Sequence, residues 1–324
     1  MRRREFITLL GGAAATWPLA TAAQESGRTY RLGGLSPSPR DGSHYVAFFD
    51  ELGRLGFIEG QNLTIDGRGY GARIDRFAEI AAELVKVQVD VIHCAGDAAI
   101  RAAQRATATI PILAITDDMV GSRLVRSLAM PGGNTTGMSI LATELDGQRQ
   151  DILIEAVPGL GRMATLADSN TTAPPQLQAL QEAARPRGVE LSIYPVGSPD
   201  EIVPALDAAK NAKAAALNVL ASPLLFANRR VIIERAMELR LPAIYQWPET
   251  AEEGGFAAYG PRLVQLYRDA MARQLVKLLR GAKPADLPVE QPNKFELVIN
   301  LQTTKAIGHE VPAGLVLRAD KVVE

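Results

Sequence analysis

Apolar and polar positions along the chain alternate between two periods. Short runs that are almost wholly apolar are followed by longer stretches with apolar residues three and four apart. The short runs read as strands buried on both faces and the longer stretches as helices covering them, the pattern of a parallel α/β sheet. Tyr30-Arg31-Leu32-Gly33-Gly34-Leu35-Ser36 is the first strand candidate, ended by the prolines and glycine of 37–42. Val46, Phe49, Leu52 and Leu55 then fall at helical spacing, with Gly56 placed to stop that helix in the left-handed conformation. A strand at 63–66, a helix with Phe77, Ile80, Ala81, Leu84 and Val85 on one face, and a strand at 89–94 continue the series. Gly96-Asp97 opens the next helix, with Asp97 as candidate N-cap, and 110–116 is a fourth strand.

The passage Pro131-Gly132-Gly133-Asn134-Thr135-Thr136-Gly137-Met138-Ser139 separates this series from a second of the same kind. Proline lacks a donor and glycine reaches positive φ freely, so the passage is expected to be a crossing between two lobes. After it, Thr143 and Asp146 stand at capping-box spacing at the start of a helix. Strands at 163–167, 190–194, 214–220 and 243–245 alternate with helices at 175–187, 202–210 and 225–239. The halves match at offsets of roughly 125–130 positions, as two copies of one lobe should. A long helix at 262–280, a proline-rich connection, a strand at 294–300 and a tail without clear pattern complete the chain. The fold class is therefore α/β, with two Rossmann-like lobes of parallel sheet joined by three crossings, near Thr136, Tyr259 and Gln291. The expected division is 28–137 plus 260–290 for one lobe and 138–259 plus 291–324 for the other.

Composition narrows the function. Of 324 residues 47% are hydrophobic, and 35 Lys+Arg face 36 Asp+Glu without blocks of one sign, which argues against nucleic acid as a partner. The single cysteine, Cys94, rules out a disulfide framework, and His44, His93 and His309 lack the i,i+4 pairing of a zinc helix, so no metal or cofactor is expected. His93 lies inside a strand pattern and reads as a satisfied core histidine. Gly67-Arg68-Gly69-Tyr70-Gly71-Ala72 matches G-x-G-x-x-A only formally, because it follows the second strand and its helix is delayed. Residues 1–23 have an arginine-rich start, a short apolar stretch and small residues at Ala22-Ala23, the form of an export signal with twin-arginine character. Its removal takes Arg2, Arg3, Arg4 and Glu5 and leaves 32 basic and 35 acidic residues, net −3.

In open α/β sheets ligands bind beyond the carboxyl ends of the strands. That places Ser36, Ser38, Tyr70, Gly96, Asp97, Asp117 and Asp118 as candidates in the first lobe, and Asp168, Asn170, Ser222, Phe226, Tyr245 and Trp247 in the second. Helix N-termini after Gly96 and near Ser222 would hold a carboxylate, and Asp117 or Asp168 an ammonium group, so an amino-acid-like zwitterion or aromatic carboxylate is the expected ligand. An enzyme, such as a racemase, is the competing class, but G-x-S-x-G and H-E-x-x-H are absent and no histidine is placed with a Ser or Cys partner. An extracytoplasmic sensor module is a third.

The opening Met1-Arg2-Arg3-Arg4-Glu5-Phe6-Ile7-Thr8-Leu9-Leu10-Gly11-Gly12-Ala13-Ala14-Ala15, the central 131–137, and the late Gly281-Ala282-Lys283-Pro284-Ala285-Asp286-Leu287-Pro288 and Lys294-Phe295-Glu296-Leu297-Val298-Ile299-Asn300 resemble one family. It is the ABC-transporter substrate-binding proteins of the tryptophan/tyrosine-binding-like group. The resemblance implies a type I periplasmic binding protein: a periplasmic monomer that holds a small molecule between its lobes and delivers it to the permease subunits of the inner membrane. Members often carry an Asn-Pro-rich loop after the first strand of the second lobe; here it reads Asp168-Ser169-Asn170-Thr171-Thr172-Ala173-Pro174-Pro175. On this reading Gly137→Pro is expected to alter closure more than lobe stability.

Overall fold

The computed structural model describes residues 27–324, so the expected export signal lies outside the described residues. In chain order the strands are β1 Tyr30–Leu35, β2 Leu63–Asp66, β3 Val91–Ala95, β4 Ile112–Thr116, β5 Thr135–Ser139, β6 Arg162–Asp168, β7 Glu190–Val196, β8 Ala216–Val219, β9 Ala243–Tyr245, β10 Ala257–Gly260, β11 Glu296–Asn300 and β12 Lys321–Val323. The helices used below are α1 Ser43–Arg54, α2 Phe77–Lys86, α3 Asp97–Ala106, α4 Ala142–Ala156, α5 Pro174–Ala184, α6 Ile202–Asn211, α7 Pro223–Ala227 and α8 Arg229–Glu238.

Strands β1 to β5 form a parallel sheet in the order β2-β1-β3-β4-β5, and the second sheet runs β12-β11-β10-β9-β8-β6-β7. Within the second, β6 to β10 repeat the order of the first, and β11 joins β10 antiparallel. The duplicated period in the sequence is thus a duplicated topology. Strands such as β3 and β4 are almost wholly buried because helices cover both faces of each sheet. The tail that lacked a pattern forms a short helix, Ala313–Arg318, and β12, which pairs parallel to β11.

Three expectations are corrected. Residues 135–139 are not a crossing: β5 pairs with β4 over its whole length, and the chain leaves the first lobe two residues on, at Ile140 and Leu141 (φ 58°). Gly137 has φ 138°, and a Cβ there would lie 1.8 Å from the Ala114 carbonyl oxygen, so glycine lets β5 approach β4 and does not loosen a hinge. The expected helix at 225–239 breaks at Asn228 into α7 and α8. Finally, α1 is rotated from the expected face. Val46 is 46% exposed, while His44, Tyr45, Phe48 and Leu52 face inward, a stripe that fits helical spacing equally well.

The other two crossings are short. After β10 the chain enters a helical run of α-helical Leu263–Gln265, a π-helical turn at Leu266–Met271 and α-helical Ala272–Leu279, which packs on α1. It returns through Glu290, whose backbone still bonds Gly137 and Ser139 of the first lobe, and then leads into β11. Arg262, at the second crossing, binds Glu252 at 2.9 Å and Glu296 at 2.5 Å, tying it to the strand that follows the third.

Candidate functional site

The carboxyl ends of the two sheets face each other across a cavity of about 310 Å³, lined from both lobes. The volume is at the lower end of the roughly 300–1,000 Å³ of small-molecule sites, and suits an amino-acid-sized solute. The lobes touch over it: a Cβ on Gly96, after β3, would stand 2.7 Å from Pro223 Cγ at the start of α7.

Of the first-lobe candidates, Ser36, Ser38, Gly96, Asp97, Asp117 and Asp118 line the cavity; of the second-lobe candidates, Ser222, Phe226 and Trp247 do. Several already have partners. Asp97 is in the first turn of α3, not its N-cap, which is Gly96 at φ 88°. Its carboxylate accepts a 2.5 Å bond from Thr116 Oγ1 and lies 4.0 Å from Arg101. Asp118 accepts from the backbone N–H groups of Val120 (3.0 Å) and Gly121 (2.8 Å). Asp117 accepts from Thr143 N–H at 2.9 Å and from the Thr143 hydroxyl. The expected Thr143–Asp146 capping box therefore does not form, because Asp117, from the other lobe, holds Thr143 at the start of α4. Ser222 caps α7 by accepting from Leu225 N–H at 3.1 Å, and donates to Asp168 Oδ2 at 2.7 Å.

Four candidates lie elsewhere. Tyr70 is under β1, where its ring fills the space a Cβ on Gly34 would need, and it stacks on His93 with ring centres 6.3 Å apart. Tyr245 packs in the second-lobe core, and burial pushes the phenol pKa of both tyrosines up. Asp168 is fully buried; it accepts from Asn170 N–H and Nδ2 (2.9 Å each) and from Ser222. Asn170 also bonds the Gly197 carbonyl at 3.0 Å. Asp168 and Asn170 thus build the turn after β6, and this turn carries Thr171 and Thr172 to the cavity in their place.

Sequence reasoning missed His44, Tyr45, Tyr267, Gln176 and Gln246, all in the lining. The signal for the first two was the alternative helical face of α1. His44 packs edge-on to Phe226 of the other lobe (ring centres 5.6 Å) and to Tyr267 (4.9 Å), and Phe226 packs on Trp247 (6.1 Å). Burial above all, with His93 and Arg229 nearby, lowers the His44 pKa to about 3, so the ring is neutral. His93 is in the core as expected, but it is not satisfied: neither ring nitrogen has a partner, and burial lowers its pKa to about 3 as well. Gln176 donates Nε2 to Asp146, which pairs with Arg149; that pair is buried, and Arg149 reaches the Tyr259 carbonyl in β10 at 3.3 Å. Among the described residues no group of His, Cys, Asp and Glu is arranged to hold a metal ion.

Two sheets of one strand order, joined by three crossings with a cavity between their carboxyl ends, define a two-lobed binding protein of the type I periplasmic class. Solved structures agree on the fold. A conserved domain protein from Vibrio cholerae superposes with a TM-score of 0.80 at 23% identity, covering 91% of this chain and 99% of that one. An ABC domain in complex with L-Trp from Streptococcus pneumonia gives 0.77 at 21%, over 91% and 100%. The chain belongs to the ABC transporter substrate binding protein family, whose model matches residues 42–323. A tyrosine-binding protein from Clostridioides difficile (strain R20291) is 26% identical over 263 residues, 80% of this chain and 75% of that protein.

Proposed function

We propose that the protein is the periplasmic solute-binding component of an ABC importer, which captures a small amino-acid-like ligand with an aromatic body between its lobes and presents the closed form to a membrane permease. The observation that carries this reading is the cavity of about 310 Å³ lined by both lobes, with an aromatic wall of His44, Tyr45, Tyr267, Phe226 and Trp247. A ligand touching both walls is held only when they meet, so binding favours closure, and closure is what a permease can read. Relatives described as tyrosine-binding or complexed with L-Trp support an aromatic solute. The residues expected to touch it are Ser38, Asp97, Asp117 and Asp118 from the first lobe and Ser222, Phe226 and Trp247 from the second, with His44, Tyr267, Gln176 and Gln246 added by the fold.

Mass spectrometry of small molecules released from the natively purified protein is expected to yield an aromatic amino-acid-like compound. Adding that compound back to the stripped protein should reduce the radius of gyration in solution scattering. A co-purifying nucleotide or sugar, or binding without compaction, overturns the reading.

A further inference from the structure

Asp146 and Arg149, one turn apart on α4, form an ion pair whose side chains are 1% and 0% exposed. A pair so deeply buried costs its desolvation and is seldom worth more to stability than packed apolar residues; its best-attested use is to fix one arrangement of its neighbours. The other partners show which arrangement that is. Arg149 reaches the Tyr259 carbonyl in β10 at 3.3 Å. Asp146 receives Arg149 on Oδ1 and the side-chain amide of Gln176, from α5, on Oδ2.

Burial raises the Asp146 pKa, but the permanent charge of Arg149 opposes it and keeps the group a carboxylate. An ionised carboxylate only accepts, so Gln176 must turn Nε2 toward it, which leaves the amide oxygen as the free end of a cavity-lining side chain. Asp117 of the first lobe is close by: its charge is felt at Asp146, and Thr143, one turn before Asp146 on α4, donates to it. An acceptor from each lobe thus stands beside the start of α4. Donors come from other elements. The N–H groups of Asp97, Ala98 and Ala99 in the first turn of α3, and the buried Gln246 Nε2 and Tyr45 hydroxyl, have no partner among the described residues. The cavity therefore has acceptors for the ammonium and donors for the carboxylate of an amino-acid head group.

We infer that Asp146, which does not itself line the cavity, is a positioning residue for ligand selection: it turns the Gln176 amide oxygen toward the ligand, so that the α-ammonium of an amino acid is held between Gln176 of one lobe and Asp117 of the other. The inference rests on the proposed solute-binding function and specifies how its site reads the amine. Asp146→Asn has a defined consequence. Its side-chain oxygen stays with Arg149, its amide nitrogen takes the place of the oxygen that faced Gln176, and the Gln176 amide turns over to meet it. An acceptor for the ammonium becomes a donor that repels it.

Calorimetric titration of the purified protein with L-tryptophan and indole-3-propionate, which share ring and carboxylate and differ in the amine, tests it. Asp146→Asn is expected to weaken L-tryptophan about tenfold or more and to leave the propionate unchanged or tighter. Gln176→Leu should lose the same preference for the amine, and adding Asp146→Asn to it should change the ratio of the two affinities no further. A loss shared equally by both ligands, as a merely structural role would give, or an unchanged ratio in either variant, overturns the inference and leaves the solute-binding function standing. Should Asp146→Asn fail to fold, the ratio in Gln176→Leu decides alone. Failure of the parent protein to bind either indole compound, or either member of the matching L-tyrosine and hydroxyphenylpropionate pair, overturns both.

Discussion

His44 and His93 show how much of this protein's behaviour sits in single side chains. Both are held neutral by burial, with pKa values lowered to about 3 from an ordinary value near 6.5. Between those values the unfolded chain binds more protons than the folded one, so this contribution to stability is complete above pH 6.5 and is lost as pH falls toward 3. Urea midpoints measured between pH 7 and pH 5, above the range of ordinary carboxylates, should fall with acidification, and His93→Phe should remove roughly half of that slope. An unchanged slope would show that His93 takes up no proton on unfolding. The apolar run around His93 marked it as core in the sequence, because a strand buried on both faces leaves no polar surroundings for any member. Its missing partners were illegible, since they depend on Tyr45, Phe48, Tyr70 and Tyr267 closing around the ring.

Elements show a different kind of surprise, where a correct local signal acquires another meaning. The glycines and proline of 131–137 do mark a turn and a strand start, and the chain does change lobes soon afterwards. Gly137 itself, however, serves the close approach of β5 to the Ala114 carbonyl, and its own carbonyl accepts from Glu290 N–H (2.8 Å) and Gln274 Nε2 (3.2 Å). Gly137→Ala is therefore expected to destabilise the protein by about 3 kcal/mol or more through the displaced β4–β5 pairing. Gly137→Pro should be worse, contrary to the behaviour of a hinge. Chemical denaturation decides it: a variant of native stability with altered ligand affinity restores the hinge reading. The rotation of α1 belongs at this scale too. Two overlapping stripes fit the same helix, and only the aromatic cluster beneath it selects the one with His44 and Tyr45.

At the scale of the molecule, the closed arrangement depends on what two distant segments leave room for. Gly96, at positive φ, meets Pro223 across the cleft, and the added methyl of Gly96→Ala would enter a space of 2.7 Å. Gly96 has φ 88° and ψ 156°, a backbone region open essentially to glycine alone, and holding an alanine there costs about 1–3 kcal/mol. The clash acts on the closed form only, so ligand affinity should fall further than stability, and scattering should show a more open particle at saturating ligand. Equal compaction of variant and parent would remove Gly96 from closure. The crossings add a second constraint, since Arg262 joins the segments after β10 and before β11 through Glu252 and Glu296. Under the proposed closure, motion between the lobes carries these segments together.

Periodicity alone determined that this chain makes two α/β lobes of one design, because burial of a sheet on both faces imposes its pattern on every strand and helix locally. It also located the strand ends where Ser36, Gly96, Asp97, Asp117 and Ser222 meet the cavity, since the carboxyl end of each strand follows from the element order. Which polar groups remain for a ligand was decided by the tertiary structure. Asp168 was turned inward by Asn170 and Ser222, Asp117 was engaged by a threonine of the other lobe, and His44 was brought in by helix rotation. A hydrogen bond between residues 26 or 54 positions apart leaves no trace in local spacing, and it is such bonds that distinguish a lining carboxylate from a structural one.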